Sequence, residues 1–238
     1  LENEYNRVTT RAVTAESQVT AALAAYPAAN APFSTFPASN SLADQLKMVA
    51  RLIAARSALG ATRQVFMVSI GGLDVHANLI SRHPTLVGRV SETPTAPLAT
   101  AAAALPDLVY NATAALGVSD KVTAFTASDF GRTLSSNGDG SDHGWGSHHL
   151  MVGGAVKGAA FYGTPPPVSV GNTAAPEDQW HVGQGRLLPS TSVDQYAATL
   201  ARWFGVADSE LAGILPNLAH FGAPAGRPDY PRDLGFML

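Results

Sequence analysis

The sequence predicts an α/β fold, a three-layer α/β/α arrangement with a mainly parallel sheet, and three observations carry that reading. Two apolar runs, Gln64–Ile70 and Val122–Ser128, each follow a stretch of helical character. The first is almost continuously apolar, as suits a strand buried on both faces of a parallel sheet. Both runs end abruptly in polar, glycine-bearing loops, GGLDVHAN and DFGRTLSSNGDGSDHGWGSHH. Helix–strand alternation argues α/β pairing, and in such sheets ligands gather beyond the carboxyl ends of the strands.

The elements follow in order. Residues 1–26 hold no Gly or Pro, carry Val13, Leu23 and Tyr26 among many alanines, and read as helix. Pro27–Ser39, with three prolines, reads as loop. Leu42, Leu46, Val49 and Ile53 repeat at helical spacing, so a second helix spans about Leu42–Leu59, with Gly60 where a C-terminal cap belongs. Pro97–Leu116 reads as a third helix, capped by Gly117 and kinked or split by Pro106. After His149, LMVGGAVKGAAFYG suits a strand or irregular buried chain, and Gly163–Pro176 is a loop. Trp180–Leu188 suits a hairpin around Gly183 or Gly185. Ser192 and Gln195 form an S-x-x-Q capping box for a helix running through Trp203-Phe204 to Gly205. Asp208 is placed to cap a short last helix ended by Pro216. No repeat and no linker is evident, so residues 1–238 read as one domain.

Composition narrows the function classes. The 238 residues are 46% hydrophobic and 14% charged, enough apolar material for a sizeable core. Lys+Arg 15 against Asp+Glu 18 leaves a net charge of −3, with no basic excess for a phosphate backbone, so no nucleic-acid partner is indicated. No run approaches the ~20 apolar residues that cross a bilayer, and mean hydropathy is only +0.07. The absence of cysteine removes disulfides, thiolate metal sites and cysteine nucleophiles together. The opening LENEYNRVTT lacks a methionine start, a charged n-region and an apolar h-region, and reads as helix interior; a longer precursor is expected.

Three segments offer groups that do chemistry. Asp74 and His76 stand two apart, so an extended backbone turns both side chains to one side. A carboxylate with an imidazole suits Zn²⁺, Mn²⁺ or a similar ion, and an Asx-type turn with a solvated His76 is the alternative. Asp129 follows the second apolar run directly, with Arg132 three residues on. Arg132 is suited to a phosphate, sulfate or carboxylate through paired hydrogen bonds, or to a plain ion pair with Asp129. Asp142, His143, His148 and His149 fall within eight positions of a chain holding 7 histidines. Gly144 and Gly146 permit tight turns that bring Asp142, His143 and His148 around one point; a histidine-rich surface loop is the competing reading. His83, His181 and His220 have no such company and read as structural. Together the three segments favour a metal site: a divalent ion polarises an ester oxygen and lowers the pKa of a water, and Arg132 steadies an anionic transition state.

The segments GGLDVHAN, TASDFGRT, NGDGSDHGWGSHH, GGAVKGAAFYG and GRLLPSTSVDQYAATLARWFGV resemble, in order from about Leu42 to the last residue, a bacterial family. It is the domain of unknown function 1501, described as sulfatase-like within the alkaline-phosphatase superfamily and exported by the twin-arginine route. The resemblance implies an alkaline-phosphatase-like α/β/α core, incomplete at its N-terminus. It also implies one or two divalent metals (Zn, Mn, Ca and Mg not distinguished), with a site at Asp74, His76, Asp129, Arg132, Asp142, His143 and His148. The superfamily's first strand, with its Ser or Thr nucleophile, has no match here, so this chain resembles the later half of such a domain. The expected function is a metal-dependent hydrolase of phosphate or sulfate esters, periplasmic or extracellular. Its substrate is expected to be a small anionic ester, and its partner the N-terminal half of the same precursor. A catalytically inactive secreted binding or structural protein, and an isomerase or phosphotransferase on the same scaffold, are the alternatives.

Overall fold

The computed structural model describes residues 2–91, 104–222 and 229–238. The chain divides into two compact units, Leu1–Leu73 with Pro84–Ser119, and Asp74–His83 with Asp120–Leu238.

The first unit is helical. α1 (Glu2–Leu23) matches the expected first helix, and Arg51 gathers its end by donating from Nε to the Tyr26 carbonyl at 2.7 Å. Asn40 caps α2 (Ser41–Ala54) by accepting from the backbone N–H of Leu42 at 3.0 Å and Ala43 at 3.3 Å. Leu42, Leu46, Val49 and Ile53, the periodic positions of the sequence, are all buried. The helix stops short of the expected Leu59, and the chain turns to Gly60, whose φ of 64° lies in the left-handed region. α3 (Leu79–Ser91) begins in the second unit and enters the first at Pro84, which lies inside the helix; this segment was not recognised in the sequence. Of the helix expected over Pro97–Leu116, residues 97–103 lie outside the described residues. The remainder is α4 (Ala104–Pro106), a π-helical stretch Asp107–Ala112 and α5 (Thr113–Ala115), so the winding changes directly after Pro106. Pro106 removes a backbone donor, and the change in hydrogen-bond register begins there.

The second unit holds the strands: β1 (Thr123–Phe125), β2 (Gly131–Ser136), β3 (Ser141–Gly144) and β4 (Met151–Gly153). They form two separate two-stranded antiparallel sheets, β1 with β4 and β2 with β3. Ser192 and Gln195 close the expected capping box at the start of α6 (Val193–Phe204). Gly205 ends that helix at φ 101°. α7 (Asp208–Ile214) follows; its cap position is Ala207, one residue before the expected Asp208. Ala198, Leu211 and Leu218 form a buried cluster. Phe236 is fully buried, with the rings of Tyr162 and Tyr196 at 5.9 and 5.8 Å. His181 bridges Leu187 in the narrow hairpin expected at Trp180–Leu188, where Gly183 and Gly185 both take positive φ.

The expected three-layer α/β/α fold with a mainly parallel, alkaline-phosphatase-like sheet is therefore wrong. Among the described residues there is no parallel pair. The run Gln64–Ile70 carries no regular secondary structure, and Val65 and Met67 are 78% and 96% exposed. The Gln45 side chain takes the place of a neighbouring strand at one residue: its amide donates to the Ser69 carbonyl at 2.8 Å and accepts from the Ser69 N–H at 2.9 Å. Of the second run only Thr123–Phe125 is strand, and its partner doubles back from residues 151–153. An apolar run reports a preference for burial; the neighbour that makes it a sheet strand lies elsewhere in the chain.

Candidate metal centre

The centre is built from an extended loop and a hairpin, both in the second unit. In the loop, Val75 is buried at 3% exposure while Asp74 and His76 are exposed on either side of it. Side chains two apart on extended backbone share a side, so anchoring Val75 turns Asp74 and His76 outward together. The hairpin pairs Arg132 with His143 and Ser136 with Ser141, with a register shift between. Its turn is Asn137-Gly138-Asp139-Gly140, a stretch expected to be plain loop. Asn137 Oδ1 accepts from the N–H of Asp139 at 3.2 Å and of Gly140 at 2.8 Å, and Gly138 takes φ 108°. The Asn137-Gly138 dipeptide between two candidate strands was the signal that would have found this turn.

Loop and turn meet closely. Asn137 Nδ2 donates to the His76 carbonyl at 2.9 Å, and the Leu79 N–H to the Asp139 carbonyl at 3.3 Å. A Cβ on Gly140 would stand 2.3 Å from the His76 carbonyl oxygen, so only glycine admits this approach.

Three donor atoms converge there. Asp74 Oδ1 lies 3.1 Å from His76 Nε2 and 2.8 Å from His143 Nε2. One ligand atom from each of the three residues falls within 4.8 Å of the others, making a possible metal-binding triad. Around a tetrahedral ion with bonds of about 2.1 Å, neighbouring donor atoms stand about 3.4 Å apart. The oxygen–nitrogen spacings are slightly tighter than that and the nitrogen–nitrogen spacing stays within 4.8 Å, so side-chain adjustment brings the three donors onto one ion. Two imidazoles and one carboxylate are the donor set of catalytic zinc sites that keep a fourth position open. The residues fit a divalent ion.

Asp142 Oδ1 sits on the other edge of the His76 ring, 3.1 Å from Nδ1, and also accepts from Asn137 Nδ2 at 2.9 Å. The His143 ring stacks on Phe130, centroids 4.0 Å apart and planes 11° apart, and tilts against His76 at 4.8 Å. The Arg132 guanidinium lies 5.2 Å from the Phe130 ring centroid, and its Nη1 donates to the Ser141 carbonyl at 2.6 Å. The hydrogen bond from His143 holds the Asp74 carboxyl below the ordinary carboxylate range, helped by the charges of His143, His76 and Arg132 against the cost of desolvation. Hydrogen bonds from Asn137 and then His76 do the same for Asp142. Both carboxylates are thus ready-charged acceptors at neutral pH.

Of the residues expected at the site, Asp74, His76 and His143 are brought together, with Asp142 attached through His76. Arg132 acts on Asp74 through its charge. Asp129 and His148 are exposed and fall outside the triad. His149 follows a different course: its ring stacks on Tyr196 with centroids 5.8 Å apart, and burial lowers its pKa. Asn137 and Phe130 were missed as site residues.

A metal-binding candidate of this kind is what loop and hairpin define together. The chain belongs to a family described as "protein of unknown function (DUF1501)", matched over residues 4–215. The match takes in most of α1 and stops before the last 23 residues, whereas the sequence resemblance was placed from about Leu42 to the end. No curated protein and no solved structure matches the chain. Among the described residues, no helix is long and apolar enough to cross a membrane.

Proposed function

We propose that the protein is a metal-dependent hydrolase of phosphate or sulfate esters, with Asp74, His76 and His143 as the residues that hold the ion. The observation that carries the proposal is the convergence of Asp74 Oδ1 with Nε2 of His76 and of His143. A divalent ion held there would polarise an ester oxygen and lower the pKa of a bound water. Two imidazole nitrogens and one carboxylate oxygen form a donor set that suits zinc.

The chain's own groups supply the rest. Arg132, held over Phe130 and tied to the hairpin backbone, carries a positive charge whose weak pull reaches Asp74, and that charge favours an anionic ester. Phe130 backs the His143 ring and restrains its rotation. Ser128 Oγ donates to the Phe130 carbonyl, and the buried Thr133 hydroxyl is occupied within the hairpin by Ser141 Oγ and the Asp142 N–H. Neither of these two hydroxyls is poised as a nucleophile. The sulfatase-like affiliation and an exported location rest on the motif resemblance, above all DFGRT followed by DHGWG.

The test is metal content and cleavage of aryl phosphates and aryl sulfates by the wild-type protein and by His143→Ala, each loaded with Zn²⁺ or Mn²⁺. The expected result is metal-dependent cleavage in the wild type, with bound metal and cleavage both lost in His143→Ala. A wild-type protein that retains metal but cleaves neither ester class would overturn the hydrolase reading and leave a binding protein.

A further inference from the structure

We propose that Asp142, held by Asn137, is a positioning residue that acts through His76. It accepts the Nδ1–H of the imidazole and so leaves the Nε2 lone pair for the cation. The inference rests on the metal reading above and replaces the expectation that Asp142 is itself a ligand.

The two nitrogens of His76 face two different carboxylates, Nε2 towards Asp74 and Nδ1 towards Asp142, each at 3.1 Å. A neutral imidazole has one donor and one acceptor nitrogen and a carboxylate only accepts, so once a cation takes the Nε2 lone pair the single proton belongs on Nδ1, facing Asp142. Because Asp142 Oδ1 lies on the ring edge away from Nε2, it is turned from an ion bound at Nε2.

Asn137 fixes that carboxylate. Its Oδ1 is occupied by two backbone N–H groups of its own turn, which leaves the amino end to donate to Asp142 Oδ1 and to the His76 carbonyl, both at 2.9 Å. The amide orientation thus follows from the hydrogen-bond network. One side chain ties the turn, the orienting carboxylate and the histidine backbone into a single unit. A carboxylate on the second nitrogen of a metal-bound histidine fixes the tautomer and ring orientation, and losing such a partner typically costs about 10–100-fold in metal affinity.

The experiment is Zn²⁺ titration of the full chain by chelator competition, with ¹⁵N-imidazole spectra of the Zn²⁺-loaded protein, for wild type, Asp142→Ala, Asp142→Asn and Asn137→Ala. Expected in the wild type are a metal-bound Nε2 and a slowly exchanging Nδ1–H on His76. In Asp142→Ala the affinity falls by about 10–100-fold and the slow proton is lost. Asp142→Asn, which keeps an acceptor oxygen, recovers part of the affinity, and Asn137→Ala gives a smaller loss than Asp142→Ala. Asp142 is exposed, so its two variants are expected to retain the fold; melting curves check them and Asn137→Ala, which also loses an acceptor for two backbone N–H groups of the turn. Unchanged Zn²⁺ affinity in Asp142→Ala, or metal on Nδ1 in the wild type, would overturn the positioning role alone. No Zn²⁺ binding by the wild type would bring down the metal reading and this inference with it.

Discussion

The second unit contains two places where an aspartate meets a histidine-bearing segment, and they end in opposite states. At Asp74, His76 and His143 the ligand atoms point at one another from two exposed side chains and one half-buried one. Around Asp178 and His181 every polar atom has a local partner. Asp178 is buried and accepts from the Ser169 hydroxyl, from Thr173 Oγ1 at 2.5 Å and from the Thr173 N–H at 2.9 Å. His181 donates from Nδ1 to the Gly171 carbonyl and accepts at Nε2 from the Gly185 N–H, both at 2.8 Å. The same residue types serve there to tie down a loop. What separates a site from a staple is whether the lone pairs converge on a shared point or are satisfied one by one by neighbouring backbone and hydroxyls.

Exchanging the losses sharpens that contrast most. Asp74→Ala is expected to lower Zn²⁺ affinity by more than the ~100-fold of an orienting partner, while Tm shifts by no more than about 2 °C because the side chain is exposed. Asp178→Ala is expected to do the reverse, leaving Zn²⁺ affinity intact and lowering Tm by roughly 5 °C as buried donors lose their acceptor. Chelator competition and thermal melting on the two variants read both effects; a large fall in Tm for Asp74→Ala would erase the distinction.

Acid tests the staple through Asp178. Hydrogen bonds from Ser169 and then Thr173 hold the Asp178 carboxyl below the ordinary carboxylate range. A folded-state pKa below the unfolded one contributes stability above the unfolded value, and that stability is lost as pH falls through the folded value. The Tm gap between wild type and Asp178→Asn is therefore expected to be full at neutral pH and to narrow below about pH 4, where unfolded aspartate titrates. A gap that stays constant down to pH 2.5 would contradict the assignment.

The smallest effects come from residues that the sequence grouped with the site and the structure leaves apart. Asp129→Ala and His148→Ala are expected to bind Zn²⁺ as the wild type does; a loss comparable to that of Asp74→Ala would enlarge the ligand set.

Local signals were legible in the sequence. The Ser192–Gln195 capping box, the left-handed Gly205 and the buried stripe Leu42, Leu46, Val49 and Ile53 all stand where local pattern puts them. So does the shared side of Asp74 and His76, which needs only an extended backbone with Val75 turned inward. The sheet was not legible, because pairing depends on a distant partner: Gln64–Ile70 has the composition of a buried strand yet meets only the Gln45 side chain at Ser69. The hairpin of β2 and β3 was missed because Gly131–Ser136 is too polar to read as strand, although its Asn137-Gly138 turn was visible. Asp142 carried the right chemistry but an unexpected position, since which ring nitrogen it meets is decided by the Asn137 turn.

The most direct measurement is anomalous diffraction at the zinc edge from crystals of the protein grown with Zn²⁺. The account predicts one strong peak within about 2.0–2.2 Å of Asp74 Oδ1 and of Nε2 of both His76 and His143, with Asp142 still on His76 Nδ1. A peak centred on other residues, or none while those three side chains remain hydrogen-bonded to one another, would contradict it.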